Sequence, residues 1–317
     1  MKTFITGGAG FIGSSLSEKL IKDGHLVTVY DNFSSGQKNF LSKILLSKKL
    51  KIIEGDVLDF GKLSKNIKGN DFIYHLSANP DVRKGSRDTK LDLEEETIVT
   101  YNVLEAMRKN NINKIVFPSS MTVYGKASGK VDEKYGPCMP ISLYGAAKLS
   151  CEAMISAFCE SFGMRAWVFR FANVIGKRLT HGVIYDLINK LINDPKNLQV
   201  LGNGNQSKQY ILLDDVLDGL SFALRNSKDR VNLFNLGVSD AITVKQIVKI
   251  IIEKMNLKEV NVKYQKNPYG WIGDVPTFNL DSARIKKLGF SPKYSSYQAV
   301  EISVLQMLKD LNYETNL

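Results

Sequence analysis

Cysteine is scarce in this chain of 317 residues, which contains only Cys138, Cys151 and Cys159. Three cysteines without a regular spacing are too few for a disulfide framework or a zinc site, so we expect reduced thiols and no metal centre. Cys151 and Cys159 fall on one predicted helix, where we expect them to be packing residues.

Long apolar runs are also missing. No stretch approaches the roughly 20 apolar residues that cross a bilayer. The first residues form a predicted strand rather than a signal peptide. We therefore expect no membrane association and a cytoplasmic location.

Acidic residues are outnumbered, with 32 Asp and Glu against 43 Lys and Arg and a formal net charge of +11. Such an excess would suit an anionic partner, such as a nucleotide, a nucleic acid or a membrane surface. The lysines are scattered, however, and form no long basic tract. We therefore interpret them as a solvated surface and expect no nucleic-acid partner.

A glycine-rich turn follows the first predicted strand, Thr3–Thr6, and precedes a segment of 3.6-residue apolar period that runs to Gly24. Such a turn lets backbone N–H groups approach a pyrophosphate at the positive end of a helix. The alternative is an ordinary strand-to-helix turn whose glycines allow close packing. We favour a dinucleotide site that includes Gly7, Gly10, Phe11, Ile12 and Gly13.

A carboxylate ends the second predicted strand, His25–Tyr30. Asp31 lies eighteen residues beyond Gly13, where an acidic side chain can accept hydrogen bonds from ribose hydroxyls. It would repel a ribose 2′-phosphate, so the cofactor is predicted to be NAD rather than NADP. Lys38, in the polar loop that follows, could weaken this exclusion.

Predicted strands and helices continue to alternate, with strands at Leu50–Ile53, Phe72–Leu76, Lys114–Phe117 and Arg165–Phe171. This order predicts an α/β fold with a doubly wound parallel sheet, whose ligands lie beyond the carboxyl ends of the strands. The second half is more irregular and predicts a smaller mixed α/β lobe. We expect domains at 1–172 and 173–317, with part of 214–237 returning to the first sheet.

Residues that follow the predicted strands are therefore further candidates for cofactor binding. A carboxylate after the third strand can bond the adenine amino group or cap the next turn. Small residues after the fourth strand allow a cofactor to lie close to the backbone. These candidates are Asn32, Ser35, Gly36, Asp56, Val57, Leu76, Ser77 and Ala78.

Tyr144 and Lys148 begin a predicted helix, and their four-residue spacing places both on one face. The lysine charge can lower the pKa of the phenol, so that a phenolate acts as a base near neutral pH. Ser120, after the fifth strand, can place a hydroxyl against the same substrate oxygen. The alternative is a surface Tyr–Lys pair, which the preceding dinucleotide pattern makes less attractive.

These motifs resemble the extended short-chain dehydrogenase/reductase family, and more narrowly its NAD-dependent nucleotide-sugar epimerases of the UDP-glucose 4-epimerase type. The resemblance covers essentially the whole chain. It rests on TGGAGFIG at 6–13, DN at 31–32, GD at 55–56, HLSANPDVR at 75–83, TYNVLEA at 100–106, SSMTVYG at 119–125, YGAAK at 144–148, RFANVIG at 170–176, LGNGNQSKQYILLDD at 201–215 and GDVPTFNLD at 273–281.

The resemblance implies a Rossmann-like NAD domain, a lobe that binds a UDP-sugar, and a homodimer formed through a four-helix bundle. It implies that Ser120 and Tyr144 are the catalytic pair and that Lys148 orients the cofactor. Tyr144 would remove the proton of the sugar 4-hydroxyl while hydride passes to NAD. The 4-keto sugar would then rotate and receive the hydride on its other face. Implied substrate-binding residues are Asn79, Ser120, Tyr144, Asn173 and Lys208.

Differences from the family pattern restrict which of the family's reactions the sequence favours. Related 4,6-dehydratases carry an Asp-Glu pair after the catalytic hydroxyl, and UDP-glucuronate decarboxylases keep the glutamate. Met121 and Thr122 stand there in this chain, so elimination and decarboxylation are disfavoured. Glu96 stands four residues before Thr100, where the family usually has an asparagine. The contact that this position makes on the cofactor side is therefore not predicted.

Other differences fall on the expected diphosphate site. Trp271-Ile272 replaces a usual arginine before the late Gly-Asp, Lys208 replaces another, and Leu212 replaces a histidine. The sequence therefore predicts an NAD-dependent 4-epimerase of a UDP-hexose, with UDP-glucose and UDP-galactose as first choice. The alternatives are UDP-N-acetylglucosamine or UDP-glucuronate as substrate, or a non-catalytic NAD-binding or RNA-binding protein.

Overall fold

A computed structural model of the chain describes residues 1–270 and 275–313. In chain order, its strands are β1 (Lys2–Thr6), β2 (Leu26–Asp31), β3 (Leu50–Glu54), β4 (Phe72–His75), β5 (Lys114–Ser120), β6 (Lys130–Val131), β7 (Arg165–Phe171), β8 (Asn173–Ile175), β9 (Asn197–Val200), β10 (Ser207–Lys208), β11 (Tyr210–Leu212), β12 (Val231–Leu236), β13 (Ile242–Thr243), β14 (Asn261–Tyr264) and β15 (Asn279–Leu280).

The α-helices are α1 (Phe11–Lys22), α2 (Phe60–Ile67), α3 (Val99–Lys109), α4 (Leu143–Phe162), α5 (Val183–Asn193), α6 (Leu213–Asn226), α7 (Val244–Lys254), α8 (Ala283–Lys287) and α9 (Ser296–Asp310). Short 3₁₀ turns occupy Lys38–Ile44, Lys84–Ser86 and Met121–Tyr124. A wider π-helical segment, Leu93–Ile98, leads into α3.

The central sheet has seven strands in the order β12-β7-β5-β4-β1-β2-β3. Strand β1 pairs in parallel with both β2 and β4, and the pairs β2–β3 and β4–β5 are also parallel. The chain order reverses direction at β1, which is where open α/β sheets bind ligands. The predicted doubly wound sheet is confirmed.

Apolar runs make the central strands suitable for burial on both faces, as parallel sheets require. All four residues of β4 are buried, as are four of the five in β1. Phe4, Ile73 and Phe117 from the sheet join Val103 of α3 and Ile155 of α4 in one apolar cluster. This cluster fixes the strand ends and the helix α4 that carry the predicted site.

The chain divides into two compact units. The first comprises 1–123, 138–170 and 223–234, and the second 124–137, 171–222 and 235–317. The assignment of 124–137 differs from the predicted boundary at residue 172. Within the second unit, β6 pairs with β15, and Tyr124 donates a hydrogen bond to Asn235 Oδ1 at 2.7 Å. These contacts between distant segments leave no local pattern in the sequence.

Within the second unit, small sheets and helices form their own core. Strand β9 pairs in parallel with β14, and β8 with β11. The Gln209 amide nitrogen donates to the carbonyl oxygens of Val238 and Leu280 at 2.7 and 3.2 Å. Helix α6 begins at Leu213, directly after β11, and carries Asp214 and Asp215 in its first turn.

Across residues 1–270 and 275–313, no helix is both long enough and apolar enough to cross a membrane. The same residues contain no cluster of three or more His, Cys, Asp or Glu side chains suited to a metal ion.

Candidate active site

The glycine-rich turn between β1 and α1 is shaped by steric limits that only glycine meets. Gly7 has a φ of +66°, and a Cβ there would lie 2.7 Å from the backbone nitrogen of Ser77. A Cβ on Gly13 would overlap the carbonyl oxygen of Gly7. The turn thus folds against itself and against the segment that follows β4. The first turn of α1, which follows, carries no acidic side chain.

Asp31, the last residue of β2, is hydrogen-bonded to two loops. Its Oδ2 accepts a hydrogen bond from the Ala9 amide at 2.9 Å, and its Oδ1 accepts one from the Phe33 amide at 2.8 Å. The residue is 6% exposed, and burial raises the pKa of Asp31 against these two bonds. Its predicted role in ribose recognition stays a prediction, to which the structure adds a role in holding the glycine-rich turn.

Other predicted cofactor residues gather at the same strand ends. The Asn32 amide nitrogen donates to Asp56 Oδ2 at 3.0 Å, while Asp56 Oδ1 accepts from the Leu58 amide at 2.8 Å. The backbone amides of Leu76 and Ser77 both donate to Thr6 Oγ1. Gly36 is buried against the Asp31 carboxylate, and Ala78 is half-buried, whereas Ser35 is exposed. The Val57 carbonyl accepts a bond from the side chain of Asn102.

Tyr144 lies in the first turn of α4, close to the segment that follows Ser120. The Ser142 side chain caps this helix by accepting a hydrogen bond from the Gly145 amide at 3.1 Å. A Cβ on Gly145 would lie 2.7 Å from the carbonyl oxygen of Thr122, so glycine allows the two backbones to meet. The glycine beside Tyr144 is therefore a positioning feature that motif spacing did not reveal.

Ser120, at the end of β5, has a well-defined acceptor role. Its Oγ accepts hydrogen bonds from the Thr122 amide at 3.2 Å and from Thr122 Oγ1 at 3.0 Å. Because both bonds use the serine as acceptor, its own proton is directed elsewhere. Thr122, considered in the sequence only for the acid it lacks, thus orients Ser120.

Lys148, one turn after Tyr144, forms a buried ion pair with Glu96. The two atoms Nζ and Oε2 are 2.8 Å apart, and the side chains are 3% and 0% exposed. Burial raises the pKa of Glu96 to about 7, although Lys148 acts to lower it. Burial alone would lower the pKa of Lys148, but Glu96 and Tyr144 raise it overall. The sequence identified Glu96 as unusual but gave no sign of this contact.

The pKa of Tyr144 differs from the expectation. Burial, supported by Glu96 and Asp92, raises the pKa of Tyr144 to about 12 and outweighs the lowering effect of Lys148. The expectation that Lys148 brings the phenol near neutrality is therefore wrong for the protein alone. The sequence shows the lysine near Tyr144 but not the Glu96 carboxylate that neutralises its charge.

A second buried ion pair holds the strand that carries Ser120. Arg170 Nη2 on β7 lies 2.6 Å from Glu152 Oε2 on α4, and the Ser119 hydroxyl donates to Glu152 Oε1. The arrangement connects β5, α4 and β7. Sequence analysis did not single out these three residues.

The predicted substrate residues are distributed over both units. Asn79, in the first unit, is 2% exposed and donates to Asp92 Oδ1 at 2.9 Å and to the Asp81 carbonyl at 3.0 Å. Its amide nitrogen is thus already bonded within the chain. Asn173 and Lys208 lie in the second unit, where the Asn173 amide nitrogen donates to the Gln209 carbonyl. Trp271-Ile272 lies outside the described residues.

The model of the NAD dependent epimerase/dehydratase family matches residues 3–237. The chain belongs to this family. It is 30% identical to a putative UDP-glucose 4-epimerase of Methanocaldococcus jannaschii over 97% of this chain and 98% of that one. A crystal structure of a UDP-galactose 4-epimerase superposes with a TM-score of 0.87 at 34% identity, covering 98% and 100% of the two chains. A UDP-glucuronic acid 4-epimerase from Bacillus cereus, in complex with UDP-glucuronic acid and NAD, gives 0.88 at 28% identity, again with 98% and 100% covered.

NAD is the cofactor of this family, and the first unit fits it. Gly7 and Gly13 let the turn fold closely against its own backbone and that of Leu76 and Ser77, and the start of α1 offers backbone N–H groups to a pyrophosphate. Asp31 stands at the end of β2, where the family binds ribose. When bound, NAD supplies a hydride acceptor and donor.

Proposed function

We propose that this protein catalyses the 4-epimerisation of a UDP-hexose, UDP-glucose and UDP-galactose first, through a transient 4-keto sugar. The observation that carries the proposal is the set Ser120, Tyr144 and Lys148 in one unit, with Met121 and Thr122 in place of the acidic residues a dehydratase needs. An epimerase of this type needs a group that moves one proton, and no further acid.

Each of the three side chains has a defined task in this proposal. Tyr144 Oη accepts the proton of the sugar 4-hydroxyl and later returns it. Ser120 donates its hydrogen bond to the same oxygen, because Thr122 already supplies both bonds that the serine accepts. Lys148 lies beside the phenol, with its charge offset by Glu96, and holds the cofactor ribose.

Thr122 also argues against the two related reactions. Its hydroxyl donates to Ser120 at 3.0 Å, and a threonine hydroxyl cannot act as a general acid at neutral pH. The position used by a glutamate in dehydratases and decarboxylases therefore orients the serine here.

The sugar is the open part of the proposal. UDP-N-acetylglucosamine would need pocket room for its acetamido group, and UDP-glucuronate would need a cation for its carboxylate. The similarity to a UDP-glucuronic acid 4-epimerase makes the uronate the first alternative to test. We propose that the second unit binds the nucleotide sugar, with Asn173 and Lys208 at its diphosphate or sugar; Asn79 is a further candidate.

Proton NMR of the anomeric region tests the reaction directly. The purified protein is incubated with UDP-glucose and catalytic NAD, without another redox partner, and Tyr144→Phe is the matched control. Appearance of UDP-galactose in the wild-type sample alone supports the proposal. UDP-N-acetylglucosamine and UDP-glucuronate are then tried in the same format, and silence with all three would contradict it.

A non-catalytic NAD-binding protein that uses its basic surface for RNA is the candidate from another class. A nucleic-acid binding assay across salt concentrations separates the two, because tight binding with a steep salt slope would favour RNA. The complete Ser120, Tyr144 and Lys148 set favours the enzyme, since a sensor needs the nucleotide site alone.

We also propose a homodimer formed through α3 and α4. Tyr101 on α3 and Phe162 on α4 are 47% and 50% exposed, and large exposed aromatic side chains of this kind favour burial against a partner. Light scattering of wild-type protein and Tyr101→Lys measures this, and a monomeric wild type would contradict the dimer. Free Cys138, Cys151 and Cys159 are compatible with the proposed cytoplasmic location.

A further inference from the structure

We propose that Glu96 is a positioning residue that sets the protonation equilibrium of the Tyr144 phenol through its ion pair with Lys148. The proposal rests on the proposed role of Tyr144 as the proton acceptor. It starts from a short contact, 2.8 Å between Lys148 Nζ and Glu96 Oε2, made by two side chains that water scarcely reaches.

The fold gives Glu96 little freedom to leave this position. It lies in the π-helical segment Leu93–Ile98, which packs against α4. The Glu96 carbonyl accepts a hydrogen bond from Cys151 Sγ at 3.3 Å, one turn beyond Lys148 on α4. Backbone and side chain of Glu96 therefore both contact the helix that carries Tyr144.

Lys148 transmits the charge state of Glu96 to the phenol. The ammonium lies 5.6 Å from the centre of the Tyr144 ring and 4.7 Å from that of Phe117. A bare ammonium at this distance favours the phenolate, whereas an ammonium paired with a carboxylate presents almost no net charge. An ionised Glu96 thus opposes phenolate formation, and a neutral Glu96 permits it.

Other titratable groups around the phenol are less suited to this control. Burial raises the pKa of Cys151 on α4 to about 11, and burial lowers the pKa of His75 on β4 to about 3, so both are neutral at pH 7. Burial raises the pKa of Asp92 in the segment before Glu96, while its Oδ1 is bonded to Asn79. Glu96 is the carboxylate in direct contact with Lys148.

Ultraviolet difference titration of the phenolate tests the proposal without a sugar substrate, so its outcome is independent of which UDP-sugar is used. The protein is loaded with NAD, and subtraction of the same protein carrying Tyr144→Phe removes the signal of the other tyrosines. Glu96→Gln keeps the side-chain shape and removes the charge. We expect the Tyr144 midpoint to fall by about one pH unit, which gives about tenfold more phenolate between about pH 7, above which Glu96 is ionised, and the midpoint.

Two further variants complete the test. Glu96→Asp keeps the charge and is expected to hold the midpoint nearer to the wild-type value. Glu96→Asn places at this position the amide usual in proteins that the chain resembles, and it provides the same charge removal if Glu96→Gln does not fold. An unchanged or higher midpoint in the folded, uncharged variants would overturn the proposal.

Discussion

Two buried ion pairs involve helix α4, and they differ in what their charges can do. Lys148 reaches Glu96 at 2.8 Å, and Glu152, one turn further along α4, reaches Arg170 at 2.6 Å. The arginine charge is permanent, because a guanidinium does not lose its proton in proteins. The Lys148–Glu96 pair is next to Tyr144, and its carboxyl group titrates near neutral pH.

The two ion pairs therefore differ in role: one supports the structure, and the other acts on a protonation equilibrium. Glu152 bonds both Arg170 and the Ser119 hydroxyl, so it connects three elements of the sheet and helix layer. The Glu96 carboxylate contacts a lysine whose charge acts on Tyr144, the proposed proton acceptor. Buried pairs contribute little net stability when compared with apolar packing, so stability alone does not account for these two pairs. We infer that the Glu152 pair holds the neighbouring elements in place, whereas the Glu96 pair sets the proton affinity of Tyr144.

The largest effect is expected from Tyr144→Phe. This variant removes the phenol hydroxyl beside Lys148 and leaves both ion pairs intact. We expect kcat to fall by about 10²–10⁴-fold, the usual contribution of proton transfer by a positioned side chain. Bound NAD, measured by release on denaturation, should remain. Wild-type turnover in this variant would contradict the proposed role of Tyr144 as proton acceptor. The proposed influence of Glu96 and Lys148 on that proton would then have no function.

Gly145→Ala tests position rather than charge. The new Cβ would meet the Thr122 carbonyl at 2.7 Å and Pro140 Cβ at 3.1 Å, so the start of α4 must shift. A displacement of this size can cost about 10²-fold in kcat. Gly61→Ala, in the first turn of α2 with only an ordinary 3.6 Å contact, is the control and should leave turnover unchanged. Equal activity of the two variants would contradict the tight fit at Gly145.

Glu152→Gln should mainly affect stability. Loss of the carboxylate leaves Arg170, whose side chain is 6% exposed, without its charge partner, and we expect unfolding to require about 3 kcal/mol less. Urea unfolding measures this. Glu160→Gln, on the same helix, breaks an exposed 3.6 Å pair with Arg230 and should change stability by less than about 1 kcal/mol. Similar losses in both variants would show that burial of the Glu152 pair is unimportant.

His75 affects how stability depends on pH. Burial, together with the nearby charge of Lys148, lowers the pKa of His75 from 6.5 to about 3; the ring lies within hydrogen-bonding distance of the hydroxyls of Thr6 and Thr100. The unfolded chain therefore binds the proton first, so the stabilising contribution is present above pH 6.5 and is lost as the pH falls toward 3.

We expect His75→Gln to flatten this loss when unfolding free energies are compared between pH 6.5 and pH 4. A slope equal to that of the wild type would mean that other groups, rather than this buried ring, govern acid unfolding.

Much of the first unit could be predicted from local patterns. The glycine spacing, the strand-end residues and the Tyr144–Lys148 spacing all depend on neighbours in the sequence, and the sheet and family they indicated are confirmed. The Glu96 contact could not be predicted in this way, because it depends on how the π-helical segment packs against α4, about fifty residues later.

The same limit explains two differences between the sequence-based expectations and the structure. The raised pKa of Tyr144 follows from burial and from carboxylates that reach it through tertiary packing. Residues 124–137 join the second unit because they contact Asn235 and β15, which are far away in the sequence. Spacing predicts which residues share a face of a helix, but not which distant carboxylate meets that face.

The pH dependence of kcat in three proteins tests the contrast between the two ion pairs most directly. Wild type, Glu96→Gln and Glu152→Gln are compared with saturating UDP-sugar, and the acidic limb of each profile reports the group that must lose its proton. We expect a limb about one pH unit lower in Glu96→Gln, and a limb in Glu152→Gln that coincides with the wild type. Equal movement of both limbs, or movement of neither, would contradict this expectation.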